Sequence, residues 1–112
     1  MADNMDLTLV ARQARRNSER WFPKLHDGTI KLGPFYCLAL AGEVGEACNI
    51  MKKAVRHVLV KPSKDDFASE LADIFTYLML LADEYQIDLM AEFEKKQSVC
   101  EMRWGGRKSA SD

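Results

Sequence analysis

Apolar residues in this chain recur every three to four positions over long stretches, without the alternation that a half-buried strand requires. The first such stretch covers about 6–21, with Leu7, Val10, Ala14 and Trp21 along one side and Arg12, Arg16 and Arg20 along another. A loop over 22–33 follows, carrying the turn residues His26, Asp27 and Gly28. Pro34 suits the first turn of a second helix, where its missing N–H is no loss, and the pattern then runs to about Val58. Pro62 breaks it. Ser63, with Asp66 three residues on, caps a third helix reaching Tyr85. Asp88 caps a fourth, which ends near Trp104 before Gly105 and Gly106. The polar tail 105–112 is expected to fray. Four helices with short links predict an all-α fold: one four-helix bundle domain with a helical core over about 6–104.

Composition narrows the class. A chain of 112 residues fits one domain, and 47% hydrophobic with 29% charged residues supports a core rather than disorder. Sixteen Lys+Arg against seventeen Asp+Glu leave a net charge of -1, which argues against coating nucleic acid as the main task. The arginines of the first helix could still form an RNA-contacting face, although a solvated helix side explains them as well. The longest uncharged run is eleven residues, 32–42, whereas a membrane span needs about 20 apolar residues. The sequence opens with no basic-then-apolar leader, and a cytoplasmic protein off the membrane is expected. Cys37, Cys48 and Cys100 are odd in number and widely spaced, so free thiols in a reducing compartment are expected.

The chemistry concentrates in four carboxylates. Glu43 and Glu46 sit three apart on the second helix, and Glu70 and Asp73 three apart on the third, so each pair shares one helix face. Glu-x-x-Glu is common on solvated helices. Here, however, the first pair points to the side of Ala39 and Ile50, while Asn49, Lys52, Lys53 and Arg56 mark the solvent side. The second pair shares a side with Tyr77 and Leu80, next to Leu71, Ile74 and Leu78. Carboxylates gathered beside apolar surface repel one another, and burial raises their pKa values. A divalent cation relieves both costs, and an all-oxygen ligand set favours Mg²⁺, with Mn²⁺ able to substitute. A di-iron bundle would want Glu-x-x-His, and neither His26 nor His57 lies three after a glutamate. Zinc is disfavoured by the same lack of paired histidines and of Cys-x-x-Cys. Gly42 and Gly45 suggest a close backbone approach, since each costs about 1 kcal/mol in a helix interior. Lys96 and Arg103 project along nearly the same line as Leu89, Phe93 and Cys100, an inward side of the fourth helix, and could meet substrate phosphates. Lys53 is a weaker candidate, and each of these cations could equally be a snorkelling surface side chain.

These residues resemble a known family. Leu38-Ala-Leu-Ala-Gly-Glu-Val-Gly-Glu-Ala47, a gap of 23 residues after Glu46, then Glu70-Leu-Ala-Asp-Ile-Phe-Thr-Tyr-Leu78 is similar to the signature of the MazG-like, all-α nucleoside triphosphate pyrophosphohydrolases, including their dCTP-hydrolysing branch. The resemblance covers about 20–104. It implies Mg²⁺-dependent hydrolysis of an NTP or dNTP to NMP and pyrophosphate, in nucleotide-pool house-cleaning. It implies metal ligation by Glu43, Glu46, Glu70 and Asp73, and Glu43 is the candidate general base. Trp21, His26 and Tyr77 match the base side of the site, and Lys96 and Arg103 its phosphate side. Two departures stand out: Cys100 occupies a position where the family often has asparagine, and the loop between Trp21 and Glu43 looks longer than in the dCTP-hydrolysing branch. Both bear on substrate choice. A narrower dUTP- or dCTP-directed pyrophosphatase, or a non-catalytic helical module binding nucleotide or a partner, remains an alternative.

The second helix is apolar around most of its circumference. Ala41, Val44, Cys48, Met51 and Val55 form a stripe separate from the one that flanks the acids. With Phe35, Tyr36, Phe75 and Met79 this is more apolar surface than a small monomer should expose, so a homodimer or homotetramer is expected. The resemblance implies the same, with sites completed by a neighbour's residues.

Overall fold

The computed structural model describes residues 6–56 and 61–106. The expected run of the second helix to Val58, and the tail beyond 106, lie outside the described residues. Within them the chain is all-helical: α1 (Leu7–Trp21), a short 3₁₀ turn η1 (Pro23–His26), α2 (Leu32–Arg56), α3 (Lys64–Glu84) and α4 (Leu89–Trp104). The anticipated caps form. Ser63 Oγ accepts from the Asp66 N–H at 3.2 Å, and Asp88 Oδ1 accepts from the Ala91 N–H at 3.1 Å. Asp6 does the same for α1, accepting from the Thr8 N–H at 2.9 Å. Each satisfies a helix N–H that has no partner within the helix.

The central element is α3, which packs against both α2 and α1. Its register against α1 is fixed by Arg15 Nη1 donating to Glu84 Oε1 at 2.9 Å. Against α2 it is fixed where Gly33 lies under the Tyr85 ring, leaving no room for a Cβ. This is the close approach that glycine serves here. Gly42 and Gly45, expected to do so, have nothing within 4 Å of where a Cβ would stand. Gly33 at the start of α2 meets the end of α3, and Thr8 and Ala11 of α1 lie beside Ala82 and Asp83 while Trp21 lies beside Thr76, so α1 and α2 both run antiparallel to α3.

The core is small: Ala11, Tyr36, Ala47, Met79, Leu80 and Ala82. Tyr36 and Met79 were expected on the surface, and both are buried, Tyr36 because it packs between Ser18 of α1 and Tyr77 of α3. The α1 stripe is rotated from the expected one, its buried positions being Ala11 and Ser18. The fourth helix departs furthest from expectation. It has no buried residue, and its main contact is with α1. Four helices form, but the three that share a core are not closed by α4 within the chain. The radius of gyration is accordingly 17.9 Å, against about 13 Å for a compact chain of this length. No helix among the described residues is long and apolar enough to cross a membrane.

Candidate metal centre and aromatic cavity

Antiparallel packing of α2 on α3 brings the acid pairs together, because Glu43 and Glu46 face α3 at the height of Glu70. One carboxylate oxygen from each of Glu43, Glu46 and Glu70 lies within 4.8 Å of the others. One oxygen each of Glu43 and Glu70, Oε2, is buried without a hydrogen-bond partner. The neighbouring Glu43 carboxyl, then desolvation, then Glu46 push the Glu70 pKa up from 4.5 to about 7. Three carboxylates in such a space fit a hard divalent cation, which would occupy the orphaned oxygens and relieve the repulsion. Asp73 stands outside this group of three. One turn along α3 from Glu70, it lines the adjoining cavity instead.

That cavity has a volume of about 190 Å³ and lies between α1, η1, α2 and α3. Trp21, Phe22, Tyr36 and Tyr77 supply aromatic walls, Leu25 and Leu80 aliphatic ones, and Glu43 and Asp73 the edge nearest the acids. Trp21 is 59% exposed with the Arg20 guanidinium 5.6 Å from its ring, so it does not fill the core. The Tyr36 and Tyr77 rings stand 6.3 Å apart at 45°. His26 is held from the side, its Nε2 2.9 Å from Ser18 Oγ. The turn after it is fixed by Asp27 Oδ1, which accepts from the Thr29 N–H at 2.9 Å and its hydroxyl at 2.6 Å. These bonds hold the exposed Asp27 carboxyl below its ordinary pKa.

Of the ten residues singled out by sequence, the fold gathers Glu43, Glu46 and Glu70 at the acid cluster and Trp21, Tyr77 and Asp73 around the cavity, with His26 behind Ser18. The cations are not brought there. Lys96 and Arg103 are exposed on α4, and Lys96 lines an open groove with Ile87, Leu89 and Val99. The expected inward side of the fourth helix does not exist within one chain, because no residue of α4 is buried. Lys53 is exposed in the last turn of α2, outside the cavity lining. Sequence reasoning missed Ser18 and Tyr36 as cavity residues. The signal available was a polar Ser18 one turn beyond Ala14 on the inner side of α1. Tyr36 gave none, its aromatic ring reading simply as apolar.

No protein-family model matches this chain, and no curated protein or solved structure is significantly similar to it.

Proposed function

We propose that this chain hydrolyses nucleoside or deoxynucleoside triphosphates to NMP and pyrophosphate in a Mg²⁺-dependent reaction. The observation that carries the reading is the convergence of Glu43, Glu46 and Glu70 beside an aromatic cavity of about 190 Å³ whose edge includes Glu43 and Asp73. Its aromatic walls suit one flat ring system, with the charged remainder of the ligand left at the acid edge. Glu43, Glu46 and Glu70 would hold the cation, which supplies charge neutralisation of the triphosphate and a more acidic water. Trp21 and Tyr77 stack on the base. Glu43, reaching both the acid cluster and the cavity, accepts the proton of the water that attacks the α phosphorus. Incubation with each NTP and dNTP plus Mg²⁺, followed by separation of products, tests this. NMP and pyrophosphate are expected; NDP and orthophosphate would reject the cleavage point, and no turnover of any nucleotide would reject the activity.

The same reading includes an oligomer, at least a dimer. Its support is the exposed α2 stripe of Ala41, Val44, Cys48, Met51 and Val55, together with an α4 that buries nothing. In such an assembly Lys96 and Arg103 reach the acids of a neighbouring copy.

A further inference from the structure

The cavity has three walls of packed helix and one of a different kind. Phe22, at the head of η1, and Leu25 within it line the cavity, and η1 packs against α1. No residue of η1 is buried, and Phe22 is 59% exposed. Among the described residues, the side-chain bond that ties this segment to the body of the fold is the contact of His26 Nε2 with Ser18 Oγ at 2.9 Å. Ser18 is a firm anchor, buried on α1 and facing the Tyr36 hydroxyl of α2. The other bonds are internal: the Leu25 N–H donates to the Phe22 carbonyl, and Asp27 Oδ1 accepts from the Thr29 N–H and hydroxyl. The docked position also carries a cost, because His26 Nδ1 is buried there with no partner. Swinging outward returns that nitrogen to water. Both ends permit such a swing. Phe22 leaves the helix with φ −130° and ψ 62°, and residues 30 and 31 belong to no helix.

We propose that residues 23–29 form a strap over the cavity, latched shut by Ser18 and His26, which swings about Phe22 and residues 30–31 to admit a ligand. Opening breaks the latch and undocks Leu25, while the internal bonds travel with the strap and the α1–α3 core stays packed. Segments held by so few buried contacts open at a small fraction of the cost of global unfolding. His26 is in this account a positioning residue: it touches Ser18 and not the cavity, and its work is to hold Phe22 and Leu25 against whatever the cavity contains. Closure over an occupant covers apolar surface of Phe22 that the empty cavity leaves exposed, so an occupant favours the latched state. The entry of a nucleotide past the strap rests on the nucleotide reading above; the latch itself does not.

Trypsin reads the strap, because the exposed Lys24 lies within it and the Lys24–Leu25 bond is cut only in the undocked segment, at a rate that tracks the open fraction. The full chain is digested first without metal or nucleotide. His26→Leu should speed that cut about threefold to tenfold, the loss of one hydrogen bond, whereas His26→Gln, whose amide can still meet Ser18, should stay near the native rate. Ser18→Ala should speed it as much as His26→Leu does, and the double variant no further. Cutting after Arg12 and Arg16 of α1 should not change. An unaltered rate at Lys24 in both single variants would overturn the latch. Equal acceleration at Arg12 and Arg16 would overturn it too, since the pair would then merely support the whole block. Nucleotide added with Mg²⁺ should slow the cut at Lys24; cutting unslowed at a concentration that saturates turnover would overturn entry past the strap. A latch that behaves as expected in a chain that turns over no nucleotide keeps this inference and sinks the pyrophosphohydrolase. Turnover in a chain whose cut rate ignores both substitutions does the reverse.

Discussion

Two consecutive helices of this chain, α3 and α4, are joined by a short turn, yet they lead opposite lives. α3 buries Met79, Leu80 and Ala82 and is packed on two sides. α4 buries nothing, although it carries Met90, Phe93, Val99, Met102 and Trp104, all exposed. An isolated helix of about 12–15 residues is marginal in water, and a helix of 16 with no buried face is little better placed. The difference teaches that folding of one chain accounts for the α1–α3 block and its cavity, whereas it leaves the apolar side chains of α4 and of the outer stripe of α2 exposed. The chemistry divides along the same line: acids and aromatics lie in the packed block, and the candidate phosphate-binding cations lie on the unpacked helix.

The largest effect is expected within the packed block. Glu46→Gln should lower turnover by about 10²–10⁴-fold while leaving the helical content and melting temperature unchanged or improved, because it removes one of three mutually repelling carboxylates. Asp73→Asn should cost less, since Asp73 stands at the cavity edge outside that group. Steady-state kinetics at saturating Mg²⁺ decides both. Near-normal activity of Glu46→Gln would remove the metal assignment.

The next effect concerns the unpacked side. Light scattering at micromolar concentration should give at least twice the chain mass of 12.7 kDa. Val44→Asp or Met51→Asp, on the exposed α2 stripe, should shift the mass to that of one chain, since a charge cannot be desolvated there without a partner. A clean monomer with full activity in the native chain would break the comparison, because α4 would then be an ornament.

How far the sequence discloses this arrangement depends on the same division. Helix ends were legible because capping is local: Ser63 and Asp88 carry their own acceptors to the N–H groups they satisfy. Three of the four expected acids converge, because three-residue spacing travels with the helix, while Asp73 falls to the cavity edge. What was illegible depends on partners distant in the chain. Gly33 is required by Tyr85, more than fifty residues on, while Gly42 and Gly45, which looked constrained, meet nothing. Lys96 and Arg103 align along α4 as expected, but periodicity says which residues share a face and not which body that face meets. Tyr36 is a core residue because Ser18 of α1 and Tyr77 of α3 close against it, a tertiary fact.

A third, smaller effect follows from Glu70. Its folded pKa lies near 7, above its ordinary 4.5, so the folded metal-free chain holds a proton that the unfolded chain releases. Below about pH 4.5 both states are protonated and nothing is lost. Stability then falls as pH rises through 4.5 to 7 and levels off above. Mg²⁺ should act in the opposite sense, raising the melting temperature little at pH 5 and more at pH 8, with proton release on binding near pH 6. Calorimetric melting with and without Mg²⁺ across that range checks the sign; a metal effect that weakens as pH rises would contradict the cluster.

The smallest effect lies at the turn that separates the two helices. Gln86 has φ 54°, the left-handed conformation in which a side chain is disfavoured, and it ends α3 with the Ile87 N–H donating to the Ala82 carbonyl at 2.8 Å. Glycine accepts that conformation without strain, but Gln86→Gly also loses the bond from Nε2 to the Asp83 carbonyl and gives the unfolded chain more freedom. The net gain should be about 0.5 kcal/mol, a rise in melting temperature of about 2–4 °C. Nucleotide turnover should not change, because the turn is remote from the acids. Gln86→Pro is the sharper control: proline cannot adopt a positive φ, so the turn must reopen. If α4 is held by a second copy, that variant should lower the mass seen by light scattering before it disturbs the cavity. Loss of the cavity with the oligomer intact would instead show that the direction of α4 is set by its own chain.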